Sequence, residues 1–273
     1  MNKNKKKYFS YSQLNTFANC PQKYKIQYID KVKSEKEGIE SFTGKIVHEV
    51  LEWLYNNSNE DNFISFDKVS DRFDQLWNEK WHNEIYVAIN PYIKKDYHIK
   101  KGQYKAEALN NVRMYYVKYF KSDNNNQSTE LNIKVKINEY IFKGIIDRID
   151  IINNRIDLID YKTGKNKVKL SLLDKLQLYI YQLAIEKEYN DKNIYLNWHY
   201  INKKGGNKQI VLNKKDRAKL NKKLLSIINN IKKSTSKNVF PAKETLLCNW
   251  CYYWNECSVK KDLNEINPSK KVL

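Results

Sequence analysis

The chain has little of what breaks, staples or threads a fold. It holds 7 Gly and 4 Pro among 273 residues, which excludes collagen-like repeats and low-complexity linkers. Four Cys are too few for a disulfide scaffold. No apolar run approaches the roughly 20 residues that cross a bilayer. Met1–Lys7 is basic enough to begin a signal peptide, but Tyr8–Phe17 (YFSYSQLNTF) is too polar to continue one. These absences predict a cytoplasmic protein with no membrane partner and reduced thiols. A G-x4-G-K-S/T phosphate loop is also missing, so any unwinding of nucleic acid would need a separate helicase. Acidic residues are in deficit: 31 Asp+Glu against 50 Lys+Arg leave a net charge of +19. Such a surplus favours an anionic partner, because each Lys or Arg that meets a phosphate releases counterions. The competing explanation is the Lys, Asn, Ile and Tyr bias of an AT-rich genome. With 41 % hydrophobic residues, 6 Trp and 21 Tyr, the chain can bury a sizeable core and is not disordered.

Apolar periodicity predicts a helix over about Gly44–Tyr55, through Ile46, Val47, Val50, Leu51 and Leu54. Phe73, Leu76, Trp77 and Trp81 suggest another, and Gln103–Phe120 a third. After the polar run Lys121–Ser128 the period changes to two, with Leu131, Ile133, Val135 and Ile137 alternating with polar residues. Strands are read at Ile141–Ile152, Arg155–Tyr161, Ile194–Ile201 and Gln209–Leu212, and helices at Leu172–Glu188 and Lys214–Lys232. This order predicts an α/β fold around a mixed sheet.

Asn153-Asn154 suits a two-residue type I′ turn. That turn pairs Ile152 with Arg155 and sets Asp147 directly opposite Asp160. One face of the hairpin then carries Asp147, Ile149, Ile151, Ile156, Leu158, Asp160 and Lys162. The other carries Arg148, Asp150, Arg155 and Asp157, read as charges that balance one another in solvent. Opposed carboxylates at the end of an apolar face repel and are costly to bury. A divalent cation would neutralise them. The alternative is a plain Asp160–Lys162 salt bridge, which leaves Asp147 unexplained.

Gly144–Asp147 (GIID) followed by Asp157–Lys165 (DLIDYKTGK) resembles the core of the RecB-like branch of PD-(D/E)XK nucleases. Gln177–Tyr181 (QLYIY) is similar to the branch's QLxxY motif, and Gly44–His48 (GKIVH) to the first-helix motif that supplies a histidine. The resemblance runs from about Tyr11 to Cys257, with residues 57–130 unassigned. It implies a restriction-endonuclease-like core whose mixed sheet is flanked by helices. It also implies Mg²⁺ or Mn²⁺ held by His48, Asp147, Asp160 and the Tyr161 carbonyl. Lys162 would act on the attacking water and the phosphate, with Gln177 and Tyr181 beside it. Read individually, His48 is a histidine at the margin of an apolar stripe, and Gln177 and Tyr181 are ordinary residues of an amphipathic helix.

Cys20 stands far from Cys248, Cys251 and Cys257, which form C-x2-C-x5-C. Four thiolates can close a zinc or a four-iron site, but structural zinc sites use paired hooks and Cys20 has no near mate. Free core cysteines are the third option. With Ser10–Tyr24 (SYSQLNTFANCPQKY) and Cys248–Cys257 (CNWCYYWNEC), the set resembles the 4Fe–4S staple of helicase-associated and CRISPR-associated nucleases. The resemblance implies that this cluster joins the N- and C-terminal ends.

Lys94-Lys95, Lys100-Lys101 and Lys203–Lys223 concentrate positive charge, and Trp198, His199 and Tyr200 offer rings on which bases could stack. For Lys214–Lys232 a solvated helix face is an equal alternative. Gly205-Gly206 reads as a hairpin turn. The sequence therefore predicts a single RecB-like nuclease domain over 1–273. Within it, 57–130 is a helical insertion, 131–201 the catalytic core and 240–260 the cysteine motif. The predicted activity is metal-dependent exonuclease action on single-stranded DNA ends in repair, recombination or replication, with a separate helicase or recombination protein as partner. The alternatives are a CRISPR-associated nuclease that trims spacers and a non-catalytic DNA-binding module that keeps the staple.

Overall fold

The computed structural model describes residues 8–59, 61–88, 101–120, 127–261 and 270–272. Lys94, Lys95 and Lys100 lie outside them. The main sheet contains β1 (Tyr8–Phe9), β4 (Gln127–Ile137), β5 (Tyr140–Ile152), β6 (Arg155–Lys162), β7 (Asn193–Tyr200) and β8 (Asn207–Ile210). Its order is β1-β5-β6-β7-β8, with β4 along the other edge of β5. The β1–β5 and β6–β7 pairs are parallel and the rest antiparallel, so the sheet is mixed, as the element order predicts. A small second sheet joins β2 (Glu37–Gly38), β3 (Ile85–Ala88) and β9 (Lys270–Val272).

Helices cover both faces. On one lie α1 (Tyr11–Asn19), α2 (Pro21–Tyr24), α6 (Leu172–Ile185) and α7 (Lys214–Lys237). Leu14, Phe17, Leu176, Leu178, Leu220 and Leu224 pack there against Phe142, Ile146, Ile149 and Leu158. On the other lie α3 (Ile39–Asn57), α4 (Phe66–Lys80) and α5 (Lys101–Tyr119), which close over Ile159 and Tyr161. The predicted apolar stripe of α3 is buried throughout: Ile46, Val47, Val50, Leu51 and Leu54 are each at most 1 % exposed. Ser171 and Asp174 form a reciprocal cap at the start of α6, satisfying donors that the first turn cannot pair internally. Along α7, Leu220, Leu224, Ile227, Ile228 and Ile231 face inward and the lysines outward.

The predicted register is realised from Ile152–Arg155 to Arg148–Ile159. Three expectations need correction. Only Asn153 of the turn has positive φ, at 51°, whereas type I′ requires it at both central residues. The charged face of the hairpin is not solvated at Arg148, which is 5 % exposed. Arg148 pairs with Asp150, donates to the Tyr115 hydroxyl at 3.1 Å and lies 4.0 Å from the centre of the Tyr55 ring. Finally, Trp198, His199 and Tyr200 are 2 %, 8 % and 5 % exposed and cannot stack on bases. They belong to β7, an interior strand between β6 and β8 in a sheet covered on both faces, so both of its sides are buried. Burial, together with the Arg148 charge, drives the His199 pKa down to about 4.

Candidate active site

The β5–β6 ladder stops one pair short of the two aspartates, at Arg148–Ile159. At the other end of β5, β1 pairs with Ile141 and Phe142. Between these points, residues 143–147 have β4 on one side and, among the described residues, no strand on the other. Asp147 therefore sits where the sheet forks. It does not form the expected ladder pair with Asp160. Instead its Oδ2 accepts the Tyr161 N–H at 2.7 Å, a donor that a continued ladder would give to a β5 carbonyl. A strand residue's N–H and C=O point the same way, so the Tyr161 carbonyl also faces this notch.

The other predicted residues converge there. His48, on α3, places Nδ1 3.5 Å from Asp147 Oδ1. Burial disfavours the imidazolium, but the hydrogen bond and charge of Asp147 outweigh it, and the His48 pKa is raised. Asp160 is 1 % exposed and lies 2.5 Å from Lys162 Nζ. Its pKa is pushed up to about 6 by burial; Lys162 opposes the rise and Asp147 adds to it. Lys162 Nζ donates to Gln177 Oε1 at 3.1 Å, and Gln177 Nε2 donates to the Tyr181 hydroxyl at 3.0 Å. Gln177 and Tyr181 thus share a face, one helical turn apart. Gly144 makes room for them: a Cβ there would lie 3.0 Å from the Tyr181 ring.

Sequence reasoning missed Glu130. One carboxylate oxygen each from Glu130 and Asp147 and an imidazole nitrogen of His48 lie within 4.8 Å of one another. Hard oxygen donors with one imidazole suit Mg²⁺ or Mn²⁺, so the donor set fits a divalent ion. Asp160 stands outside that set, with Lys162. The expected His48–Asp147–Asp160 ligand group is thus assembled only in part. Burial, reinforced by Asp147, pushes the Glu130 pKa up to about 7.

Charge divides across the fork. On the Glu130 side the groove is mainly acidic, lined by Glu40, Glu49, Glu52, Glu130 and Asp147 with His48 and one lysine, Lys45. On the Lys162 side it is mainly basic, lined by Lys162, Lys165 and Lys167, with Asp174 paired to Lys167 and, from the first helix, Tyr11. No separate sequence signal marks Tyr11, which lies inside the N-terminal cysteine motif.

Away from the fork, Cys20, Cys248, Cys251 and Cys257 form no disulfide and line one cavity of about 260 Å³. No three of their sulfurs gather within 4.8 Å of one another among the described residues. The N- and C-terminal segments meet there through protein contacts. Gln22 N–H donates to the Pro241 carbonyl at 3.3 Å, and the Ser258 hydroxyl donates to Gln22 Oε1 at 2.9 Å. Cys248 Sγ accepts the Thr245 N–H at 3.5 Å.

An ATP-dependent helicase/deoxyribonuclease component from Alkaliphilus oremlandii is 27 % identical over 215 residues, covering 67 % of this chain and 18 % of that protein. Its namesake in Clostridioides difficile is 27 % identical over 216 residues, with coverage of 69 % and 18 %. The chain thus matches a stretch equal to under a fifth of these relatives. The Gene 69 protein of Mycobacterium phage D29 is 22 % identical over 198 residues, covering 66 % of this chain and 69 % of that one. A crystal structure of a candidate exonuclease from Eubacterium rectale superposes with a TM-score of 0.50 at 12 % identity, covering 96 % of this chain and 90 % of that one; it shows a shared fold. Residues 8–258 match the model of the PD-(D/E)XK nuclease superfamily, and the chain belongs to that superfamily.

Proposed function

We propose that this protein is a metal-dependent deoxyribonuclease that degrades single-stranded DNA from its ends. The observation that carries the reading is the fork. There Asp147 is brought to His48 from a distant helix, while Asp160, Lys162, Gln177 and Tyr181 form one continuous polar chain beside it. A purely DNA-binding module needs no such arrangement, and a buried Asp160 carboxylate would only destabilise it. A bound Mg²⁺ or Mn²⁺ would polarise the scissile phosphate and make water nucleophilic at neutral pH.

The chain's own residues would do the rest. His48, Asp147 and the Tyr161 carbonyl present donors to the ion. The Lys162 ammonium offers a charge-assisted hydrogen bond to the phosphate oxygens, whose charge changes as the water oxygen bonds to phosphorus and the leaving oxygen departs. Gln177, itself anchored on Tyr181, keeps the ammonium aimed into the notch. The acidic side of the fork repels the DNA backbone and the basic side attracts it, so the strand would enter past Lys165 and Lys167. The names of the relatives, which pair helicase with deoxyribonuclease, support work beside a separate helicase.

We also propose that the four cysteines hold a 4Fe–4S cluster. Four thiols around one 260 Å³ cavity fit it. A tetrahedral zinc site, with Zn–S near 2.3 Å, would draw its sulfurs to about 3.8 Å from one another, whereas among the described residues no three of them lie within 4.8 Å; a four-iron cube holds them further apart.

End-labelled linear and closed circular single-stranded DNA, incubated with Mn²⁺ or EDTA and with wild type or Asp160→Ala, test the nuclease reading. Metal-dependent loss of the linear strand alone, absent in the variant, is the expected result. Cutting of the circle would replace the exonuclease reading with an endonuclease one. Inert, folded protein in Mn²⁺ would refute the enzyme.

A further inference from the structure

Glu130 interrupts an otherwise regular strand. The β4–β5 ladder pairs Thr129 with Arg148 and Leu131 with Ile146, but between them Glu130 and Asp147 are not paired. The reason is local: Glu130 has φ of +47°, in the left-handed region that a long side chain seldom occupies. The twist turns its carboxylate towards His48 and Asp147, to within 4.8 Å of both ligand atoms. Among the described residues, Glu130 forms no ion pair with a Lys or Arg, although Lys45 lines the same groove; the largest charge effects on it come from Asp147, Glu52 and Glu49, which oppose its ionisation, and from His48, which favours it. An irregular backbone that drives two carboxylates together without a cation has no merit for folding alone. Two oxygens and a nitrogen bound to one ion at about 2.0–2.2 Å would lie no more than about 4.4 Å apart, close to the spacing already present.

We propose that Glu130 is a ligand of the catalytic divalent cation, completing with His48 and Asp147 a donor set drawn from α3, β4 and β5. This rests on the metal-dependent reading above. It adds a carboxylate from β4 to the site, beside Asp160, which lies 2.5 Å from Lys162 Nζ.

The test is Mn²⁺ binding to DNA-free protein, read by the loss of the free-ion electron paramagnetic resonance signal. The proteins compared are wild type, Glu130→Gln, Asp147→Asn and Glu52→Gln. Glu130→Gln should weaken Mn²⁺ binding by about tenfold or more, comparable to loss of a strongly coupled ligand or its support. Glu52→Gln, which alters the charge of the same groove, should bind as wild type. In EDTA, Glu130→Gln should melt no lower than wild type, since an unneutralised carboxylate has been removed. Glu130→Asn, whose residue tolerates positive φ, repeats the test should Gln disturb the strand. Wild-type binding by Glu130→Gln beside weakened binding by Asp147→Asn would overturn the proposal alone. Equal weakening by Glu52→Gln would also overturn it, by showing a general field effect. Wild-type binding by both Glu130→Gln and Asp147→Asn would mean that no ion sits here, and the metal-dependent reading would fall with it.

Discussion

Replacing Asp160 with Asn should make the metal-free protein more stable while making it inactive. In the fold the Asp160 carboxyl titrates at about 6, against an ordinary value of 3.8. Burial is the main cause, and Asp147 adds to it. At 1.36 kcal/mol per unit, that difference corresponds to about 3 kcal/mol. The sign follows from linkage. A raised folded pKa favours the folded state fully below about pH 3.8, and that advantage is lost as pH rises through 6. At pH 7.5 both states are ionised, and the folded one carries the whole penalty of a buried charge beside Asp147. Asn keeps the shape and removes the charge. Lys162, with its side chain 38 % exposed, can hydrate once its partner is neutral. At roughly 2–4 °C per kcal/mol for a chain of this size, Asp160→Asn should melt about 6–12 °C above wild type at pH 7.5 in EDTA. Cleavage in Mn²⁺ should fall by roughly a thousandfold. At pH 4, where the wild-type carboxyl is protonated in the fold, the two melting temperatures should converge. Calorimetry at both pH values checks the stability argument and the end-labelled assay checks activity. A variant that melts at or below wild type at pH 7.5 would refute the claim that the site holds Asp160 against its electrostatic preference.

Other outcomes follow from the same reasoning. Cys251→Ala should abolish the visible absorbance of the purified protein and lower its melting temperature; unchanged colour would remove the cluster. Arg148→Met leaves Asp150 and the Tyr115 hydroxyl without their buried cation and should cost about 3–5 kcal/mol in urea unfolding. Arg148→Met with Asp150→Asn should cost less than the single change, and simple additivity would contradict the pairing. His199 titrates at about 4 in the fold against 6.5 when free, so its burial contributes stability that is whole above pH 6.5 and is lost as pH falls towards 4. His199→Leu should flatten that part of the stability–pH curve, measured by calorimetry between pH 7 and 4.5.

The parts of this fold that were legible in the sequence are those where one local rule dictates geometry. A two-residue turn between alternating strands fixes pairing, so the register of β5 on β6 could be worked out from Asn153-Asn154 alone. The α3 and α7 stripes were visible because their apolar residues recur at helical spacing. What could not be read depends on departures from those rules. Glu130 resembles any acidic residue before a strand, and only its left-handed backbone turns it towards the site. The ladder's early end at Arg148 follows from the packing of Arg148 and Tyr161 beneath α3 and α5, which periodicity does not encode. Trp198, His199 and Tyr200 looked available because a strand buried on both faces has no period to betray it.

The position of β1 has a consequence for how the molecule is made. Tyr8 and Phe9 pair with Ile141 and Phe142, which leave the ribosome long after them. At roughly 5–20 residues per second, β1 and the helix behind it must wait about 7–27 s for the strand they join. During that wait Leu14 and Phe17, fully or nearly buried in the finished protein, have no sheet to lie on. Assembly is therefore expected to begin with the β4–β6 meander and to finish when β1 and α1 return to it. That order places the last folding step beside the catalytic fork.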